Sequence, residues 1–271
     1  IFLYDITNNK SEKIGTTRTL NFQQGSRAQW LGPDHKSKII FNDCVNNSYV
    51  SKIYDLNTKE TKIIPLPIFS VSVDGKYIIS ADYERLYWCR KGYSYDVIRN
   101  QDKNKNIVRD EKVKLYELEK DKFHDLFSIE DLLKINESTI MKDATHYIEH
   151  LMFSPCNQKF IFLHRFKIND GGIFSRLFEY NLENKHLKIL LDSGRISHFN
   201  FIDSNRLIFY GSIGNKITKL RKFKKFQKAF KFMLRIYKLI VKDNSNLSKK
   251  ITNDGYYYYE FSSNNFTKIK N

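Results

Sequence analysis

The sequence predicts an all-β protein of the β-propeller class, built from four-stranded antiparallel blades. Short runs of Ile, Val, Tyr and Phe alternate with polar residues and end at Asn, Asp or Gly turns, which is typical of antiparallel strands. Only 4 Pro and 11 Gly occur among the 271 residues, and strand patterns dominate the chain. The same order of strands and turns also recurs along the chain, as it does in propeller blades.

Four complete repeats are visible, each with an inner strand, a turn such as SVDGK or SPCNQ, a second strand and an outer strand pair. They cover residues 28–66, the stretch from 69, residues 150–191 and the stretch from 197. The opening segment IFLYDITNNK matches the outer half of a blade, because YDITNNK lines up with YDLNTKE and YNLENKH. A half blade leaves sheet edges open. We therefore expect residues 1–271 to form one domain that is a portion of a larger, six-bladed ring, with a complete four-bladed ring as the alternative.

Two insertions interrupt the repeats. Residues 99–145 carry a charged linker, a strand (KVKLYELE) and a short helix, which Ser128 caps with Asp131 in the first turn. Residues 216–242 contain eleven Lys and Arg and no acidic residue, and so hold most of the formal charge of +16. The basicity of the chain is therefore local.

The second insertion is predicted to be a basic amphipathic helix. Its apolar side chains recur at three- and four-residue steps: Phe223, Phe226, Phe230, Met233, Tyr237 and Ile240. Such a helix binds an anionic membrane surface or the groove of a protein partner. Alternatively, its apolar stripe packs on the propeller and its lysines are solvated. Nucleic acid is not expected as a partner, because no base-reading motif accompanies the charge.

Composition excludes several classes of protein. No apolar run reaches the ~18 residues that a membrane span needs. Cys44, Cys89 and Cys156 are odd in number and form no CxxC pair, so neither disulfides nor a zinc knuckle is indicated, and a reducing, cytoplasmic location is expected. The chain begins with Ile1 and is expected to start inside a fold. The sequence contains no GxSxG, P-loop, GxGxxG or HExxH motif, so hydrolase, nucleotidase and dinucleotide-binding functions lack support.

Four of the seven histidines lie at equivalent positions of the blades. His146 and His150 bracket the entry to the HLMFSP strand, His164 ends the next strand, and His198 opens the inner strand of the following blade. Because inner strands begin around the central channel of a propeller, these side chains are predicted to form a site at its mouth. The alternative role for each is that of a hydrogen-bonded turn residue.

Basic, amide and aromatic side chains accompany the histidines as predicted substrate-binding groups: Arg27, Gln29, Arg85, Arg90, Tyr93, Arg165 and His146. Guanidinium groups bind carboxylates through two parallel hydrogen bonds, and aromatic rings pack on sugar rings. An acidic, uronate-containing oligosaccharide is therefore the predicted ligand. Salt bridges between blades are the alternative role for each arginine.

The ordered motifs HLMFSP, FLHR and ISHF, within residues 150–201, resemble those of oligogalacturonate lyases and the wider group of TolB-like six-bladed propellers. The resemblance implies β-elimination, in which a histidine removes the proton α to a uronate carboxylate. A divalent metal, manganese, held by histidines and aided by an arginine, neutralises that carboxylate. By this likeness His150 matches the base and His198 the first metal ligand. His164 matches a further histidine and is a candidate ligand, whereas Arg165, the candidate arginine, replaces an acidic residue.

In those lyases the remaining metal ligands come from a His-rich segment beyond the part that corresponds to residues 256–270. Since catalytic metals usually need about three protein ligands, this chain by itself is expected to bind no metal tightly and to be inactive. A longer protein that supplies the missing blades would make lyase activity possible again. The alternative function is a non-catalytic scaffold that binds a protein partner, a glycan or an anionic membrane.

Overall fold

The structure is a computed structural model. It describes residues 1–98, 105–108, 111–169, 171–192, 195–213, 232 and 254–269. The chain divides into two compact units, one of Ile1–Asn104 with Glu111–Phe127 and the other of Lys105–Asp110 with Ser128–Asn271. Within the described residues the strands form four four-stranded sheets and one two-stranded sheet. Strands that follow one another in sequence pair antiparallel in these sheets. The predicted fold, a β-propeller of four-stranded blades with an additional half blade, is confirmed.

The half blade opens the first unit. Strands β1 (Phe2–Asp5) and β2 (Lys10–Lys13) pair antiparallel. The turn between them is closed by the Asp5 carboxylate, which accepts hydrogen bonds from the backbone N–H groups of Thr7 at 2.9 Å and Asn8 at 3.2 Å. A short Asx-type turn of this kind explains why the YDITNNK pattern recurs where outer strands meet.

The first complete blade consists of β3 (Gln29–Trp30), β4 (Lys38–Val45), β5 (Ser48–Asp55) and β6 (Thr61–Ile64), in that order. Strands β4 and β5 are joined by Asn46 and Asn47, which have φ angles of 48° and 59°. Two consecutive left-handed residues make the tight turn whose twist matches a hairpin. The two central strands are largely buried, whereas β6 exposes three of its four residues.

The second blade consists of β7 (Ser70–Val71), β8 (Tyr77–Ser80), β9 (Lys112–Glu117) and β10 (Lys122–Ser128). The strand KVKLYELE, predicted inside the insertion 99–145, is thus the third strand of this blade and pairs with β8. A helix, α1 (Tyr83–Cys89), and a 3-10 turn, Lys91–Tyr93, lie between β8 and β9. The Asp82 side chain caps α1 by accepting from the Arg85 N–H.

The second unit contains the third and fourth blades. The third blade is β11 (Thr145–Phe153), β12 (Lys159–Lys167), β13 (Ile173–Asn181) and β14 (Leu187–Leu191). The fourth is β15 (Arg195–Phe201), β16 (Arg206–Ser212), β17 (Asp254–Glu260) and β18 (Asn265–Lys268). Apolar side chains of both blades form one buried cluster: Ile161, Leu163, Leu177, Ile196, Phe199, Leu207, Phe209, Tyr257 and Tyr259. Their packing joins β12 and β13 of the third blade to β15, β16 and β17 of the fourth.

Of the two predicted helices, one is observed and the other lies almost entirely outside the described residues. The helix in the first insertion is confirmed as α2 (Ile129–Lys134), with a reciprocal capping box between Ser128 and Asp131. The predicted basic amphipathic helix at 216–242 joins β16 to β17 and, apart from residue 232, lies outside the described residues. In the part of the chain that the structure describes, no helix is long and apolar enough to cross a bilayer.

Candidate functional site

A β-bulge in β11 sets the position of His150. Pairing with β12 runs to Glu149↔Leu163 and resumes at Met152↔Ile161, so two residues of β11 face one residue of β12 at the break. The backbone of His150 has a φ angle of 57°, which is uncommon for a residue other than glycine. Because side chains alternate between the faces of a strand, the extra residue redirects the side chains at the break. The bulge leaves the His150 side chain 15% exposed beside the buried Glu149.

Glu149 and Arg165 form a buried ion pair next to His150. The Glu149 side chain is 1% exposed, and its Oε1 lies 3.4 Å from His150 Nδ1. The Arg165 guanidinium also donates to Ser175 Oγ at 2.9 Å and to the Ser197 carbonyl at 3.3 Å. Arg165, the predicted catalytic arginine, therefore neutralises Glu149 and ties β12 to β13 and β15.

His198 lies directly beside His150. The two imidazole rings meet edge to face, with centroids 5.3 Å apart and an interplanar angle of 64°. The structure thus brings together the predicted base and the predicted first metal ligand. His198 is exposed and follows Ser197, whose carbonyl accepts from Arg165. The Arg165 guanidinium therefore contacts a chain neighbour of each histidine: Glu149 before His150 and Ser197 before His198.

A surface pocket of about 420 Å³ begins at His198 and continues over one side of the fourth blade. It is lined by His198, Phe199, Asn200, Ile208, Phe209, Tyr210 and Tyr256. The rings of Tyr210 and Tyr256 meet edge to face with centroids 5.2 Å apart. These two tyrosines belong to no motif that predicted the site, although the alternation in RLIFYG and GYYYYE places residues of this kind on one face of paired strands.

His146 and His164 lie elsewhere, fully buried in the third blade. His146 Nε2 is 2.7 Å from the Met141 carbonyl, and its Nδ1 is 3.0 Å from His164 Nε2. A carbonyl only accepts, so His146 Nε2 donates to it and His146 Nδ1 accepts from His164. His164 Nδ1 then accepts from Arg176, 3.5 Å away. The structure therefore does not bring His146, a predicted sugar contact, or His164, a predicted metal ligand, to the His150 site.

Arg176 anchors this buried chain of side chains to helix α2. Its guanidinium donates to the Leu132 carbonyl at 3.0 Å and to the Ile135 carbonyl. Burial lowers the pKa of Arg176 to about 10, although Asp192 opposes this shift. Burial, together with His146 and Arg176, lowers the pKa of His164 well below its ordinary value. His164 is therefore held as a neutral imidazole.

In the first unit, the predicted ligand groups Arg27 and Gln29 are engaged by their neighbours. The Arg27 guanidinium lies over the Phe69 ring, 4.8 Å from its centroid. Gln29 Nε2 donates to the Arg27 carbonyl at 3.2 Å. Arg27 has a φ angle of 58°, so the backbone turns sharply just before β3. Both side chains are partly exposed, and their roles toward a sugar remain predictions.

The other predicted groups of the first unit lie on and after helix α1. Arg85 is fully buried, 3.9 Å from Glu111 and over the Trp88 ring at 5.1 Å. The Arg90 guanidinium stacks on the Tyr93 ring, 3.6 Å from its centroid. A buried, paired Arg85 supports the blade, whereas the partly exposed Arg90–Tyr93 pair has the chemistry to contact a ligand.

The donor set does not fit the manganese centre that the resemblance implies. Such a centre needs about three protein ligands, and no group of three or more His, Cys, Asp or Glu side chains among the described residues is arranged to hold a metal. His150 and His198 lie together, but His164 is fully hydrogen-bonded on the opposite face and Glu149 is paired with Arg165.

No protein-family model and no curated protein matches the sequence. Among solved structures, an oligogalacturonate lyase in complex with manganese is 10% identical, with a TM-score of 0.59 over 99% of this chain and 58% of that chain. The tricorn protease is 11% identical, with a TM-score of 0.50 over 100% of this chain and 24% of that one. TolB from Acinetobacter baumannii is 12% identical, with a TM-score of 0.49 over 99% of this chain and 48% of that chain.

At this level of identity the likeness establishes the fold alone. The fold is that of the β-propellers, and the comparison that carries this statement is the one with the oligogalacturonate lyase, whose TM-score is 0.59. The chain spans about half the length of TolB and of the lyase.

Proposed function

We propose that this propeller recognises an acidic, uronate-containing oligosaccharide at the edge formed by His150 and His198. The observation that carries the proposal is the contact of these two imidazoles, 5.3 Å apart, at the start of an aromatic-lined pocket. An imidazole gains a positive charge easily near neutral pH and then attracts a carboxylate. Tyr210 and Tyr256 supply ring faces for a sugar, and the Asn200 amide supplies hydrogen bonds for its hydroxyls.

The buried ion pair beneath the site prepares His150 for this role. The Glu149 carboxylate lies 3.4 Å from His150 Nδ1, so this edge of the imidazole faces the ion pair and Nε2 is the nitrogen available to a ligand. Arg165 balances the charge of Glu149 inside the blade, where an uncompensated carboxylate is costly. The ligand therefore contacts an imidazole of fixed orientation, and the Glu149–Arg165 pair beneath it carries no net charge.

The same geometry favours β-elimination as a second candidate function. A base with one nitrogen oriented by a carboxylate has the arrangement that proton abstraction requires. His150 Nε2 takes the proton α to the uronate carboxylate, and the C–H electron pair forms a carbon–carbon double bond. The bond to the glycosidic oxygen then breaks, and the leaving oxygen takes a proton from water. A protonated His198 stabilises the charge that develops on the carboxylate.

Isothermal titration calorimetry with trigalacturonate and with neutral maltotriose tests recognition. We expect trigalacturonate to bind and both His150→Ala and His198→Ala to weaken it at least about tenfold, the effect of losing one charge-assisted hydrogen bond. The matched control is His186→Ala, since His186 is exposed in the turn between β13 and β14. Equal affinity for both trisaccharides, or equal effects of all three substitutions, contradicts the proposal.

Ultraviolet absorbance of the unsaturated product separates recognition from elimination. If His150 is a base, absorbance rises with polygalacturonate and the rise disappears in His150→Ala but persists in His186→Ala. If a chelator abolishes the rise in absorbance, the reaction depends on a metal that the described residues do not hold. Binding without absorbance leaves recognition as the function.

We also propose a reducing compartment, the cytoplasm, as the place of action. Cys44, Cys89 and Cys156 are all free thiols, and Cys44 is buried. Free thiols persist where glutathione and thioredoxin keep them reduced. To test this, the protein is expressed with and without a periplasmic leader, and the free thiols of each product are counted. Three free thiols and unchanged folding in both the periplasm and the cytoplasm contradict the proposal.

A further inference from the structure

The loop that leads from β2 to β3 in the first unit presents two large apolar side chains to solvent. Leu20 is 71% exposed and Phe22 is 109% exposed, more than in the extended reference peptide. Side chains exposed to this degree project from the surface into solvent. Single exposed apolar residues are common, but two of them, one residue apart on a constrained turn, form a small apolar tip.

Both stems of this loop are fastened to strand β4. The Thr17 hydroxyl donates to the Asn42 carbonyl at 2.7 Å, and the Arg18 N–H donates to the Asp43 carboxylate at 2.8 Å. On the other side, the Asn42 N–H donates to the Ser26 carbonyl at 2.8 Å. Because β4 is a central strand of its blade, the loop begins and ends on a rigid support.

The turn between the stems is closed as well. Asn21 and Gly25 exchange two backbone hydrogen bonds, of 3.3 and 2.9 Å. The Asn21 side-chain oxygen accepts from the N–H groups of Gln23 at 3.0 Å and Gln24 at 2.8 Å. Gly25 has a φ angle of 57°, in the left-handed region that favours glycine. This network holds the turn with Phe22 exposed to water. Little conformational entropy of the loop is therefore lost when a partner covers Phe22.

Cationic side chains flank the tip. Arg18 is exposed on one stem. The exposed Lys91 precedes Gly92, and a Cβ added to Gly92 would lie 3.7 Å from the Gln23 side-chain nitrogen, so this segment lies beside the loop. The acid nearest to Arg18 in the hydrogen-bond network, Asp43, is itself paired with Lys52 at 2.5 Å. The tip therefore combines projecting apolar groups with positive charge at its base.

We propose that residues 18–25 insert into an anionic phospholipid surface, with Leu20 and Phe22 in the acyl boundary and Arg18 and Lys91 at the headgroups. Membrane interfaces favour an aromatic side chain in the apolar layer with cations beside it. A projecting tip suits a deformable lipid layer, and its positive flanks select anionic headgroups. This surface differs from residues 216–242, for which membrane binding is predicted from sequence.

Tryptophan substitutions in the full chain test insertion directly. Phe22→Trp is compared with Phe123→Trp, because Phe123 is 52% exposed on β10 of the same unit. Vesicles of phosphatidylcholine with phosphatidylserine and brominated acyl chains are added, and the wild-type signal of the 2 native Trp is subtracted. We expect blue-shifted and quenched emission for Phe22→Trp and neither for Phe123→Trp. Equal quenching at both positions overturns the proposal, even if residues 216–242 bind the vesicles.

Vesicle sedimentation supplies the affinity. Leu20→Ser with Phe22→Ser is expected to reduce the partition coefficient at least about tenfold, because two apolar groups no longer leave water. Phe123→Ser is the control and leaves it unchanged. Arg18→Gln and Lys91→Gln are each expected to reduce it about fivefold on anionic vesicles. Absent binding, or binding to phosphatidylcholine alone with equal strength, contradicts the proposal, and an unchanged melting temperature of each variant excludes unfolding as the cause.

Discussion

The two faces of the third blade hold similar side chains and put them to different uses. One face carries His146, His164 and Arg176, and the other carries Glu149 and Arg165 beside His150. On the first face each nitrogen of both histidines has a partner inside the blade. On the second face the buried ion pair ends at a partly exposed imidazole that meets His198.

This difference shows that neighbouring titratable residues take their roles from the face of the strand on which they lie. His164 and Arg165 are adjacent in sequence, yet one is opposite Ile148 and the other opposite Tyr147. The first face uses two buried imidazoles and Arg176 to connect the strands to helix α2. The second uses a charged pair to support a partly exposed imidazole. Substitutions on the two faces should therefore differ in their effects on stability and pH dependence.

The largest effect is expected from Arg165→Met. This substitution leaves the Glu149 carboxylate, 1% exposed, without its ion-pair partner, and such losses cost about 4 kcal/mol of unfolding free energy. Urea unfolding followed by circular dichroism measures it. The double variant Glu149→Leu, Arg165→Met is expected to be less destabilised than Arg165→Met alone, because no carboxylate is left buried. A double variant that is less stable than the single one contradicts this account of the pair.

A smaller loss, about 2 kcal/mol, is expected for Arg176→Met. The Leu132 and Ile135 carbonyls and His164 lose a donor, but the cost of holding a guanidinium in the interior disappears with it, which limits the loss. Arg206→Met is the control, because the exposed pair of Arg206 with Asp203 is worth less than about 1 kcal/mol. Equal losses of unfolding free energy in Arg176→Met and Arg206→Met would contradict this expectation.

The pH dependence of stability gives the smallest effect. The pKa of His164 is lower in the folded state than its ordinary value of 6.5, so the unfolded chain binds more protons below that pH. The contribution of neutral His164 is complete above pH 6.5 and declines as the pH falls, by at most about 1.4 kcal/mol per pH unit. Urea unfolding between neutral and acidic pH measures the slope.

We expect His164→Leu to have a shallower slope than the wild type, whatever its stability at neutral pH. His186→Leu, which alters an exposed histidine, is the matched control and should keep the wild-type slope. Parallel slopes for all three proteins would show that His164 is not held neutral by the fold.

Local features of the fold were predictable from sequence, and features that depend on distant partners were not. The blade repeats and the Ser128–Asp131 capping box involve residues within a few positions of one another. Arg176 was missed because its carbonyl partner Leu132 lies 44 residues away. Glu149 was missed because its role depends on the bulge in β11, which becomes visible only when that strand is paired.

The motifs HLMFSP, FLHR and ISHF did not reveal on which face of its strand each histidine lies. They predicted a common site for His150, His164 and His198, and pairing brings together only the first and the last of these among the described residues. Strand alternation predicts that His164 and Arg165 point to opposite faces. Which face bears the site depends on the one-residue shift between Glu149 and Met152.

The most direct test of the central claim is a set of imidazole NMR spectra recorded while trigalacturonate is added, with each signal assigned by substitution of its histidine. The account predicts that the signals of His150 and His198 move with added ligand, whereas those of His146 and His164 stay in place. Movement of the His146 and His164 signals with unchanged His150 and His198 signals would contradict it.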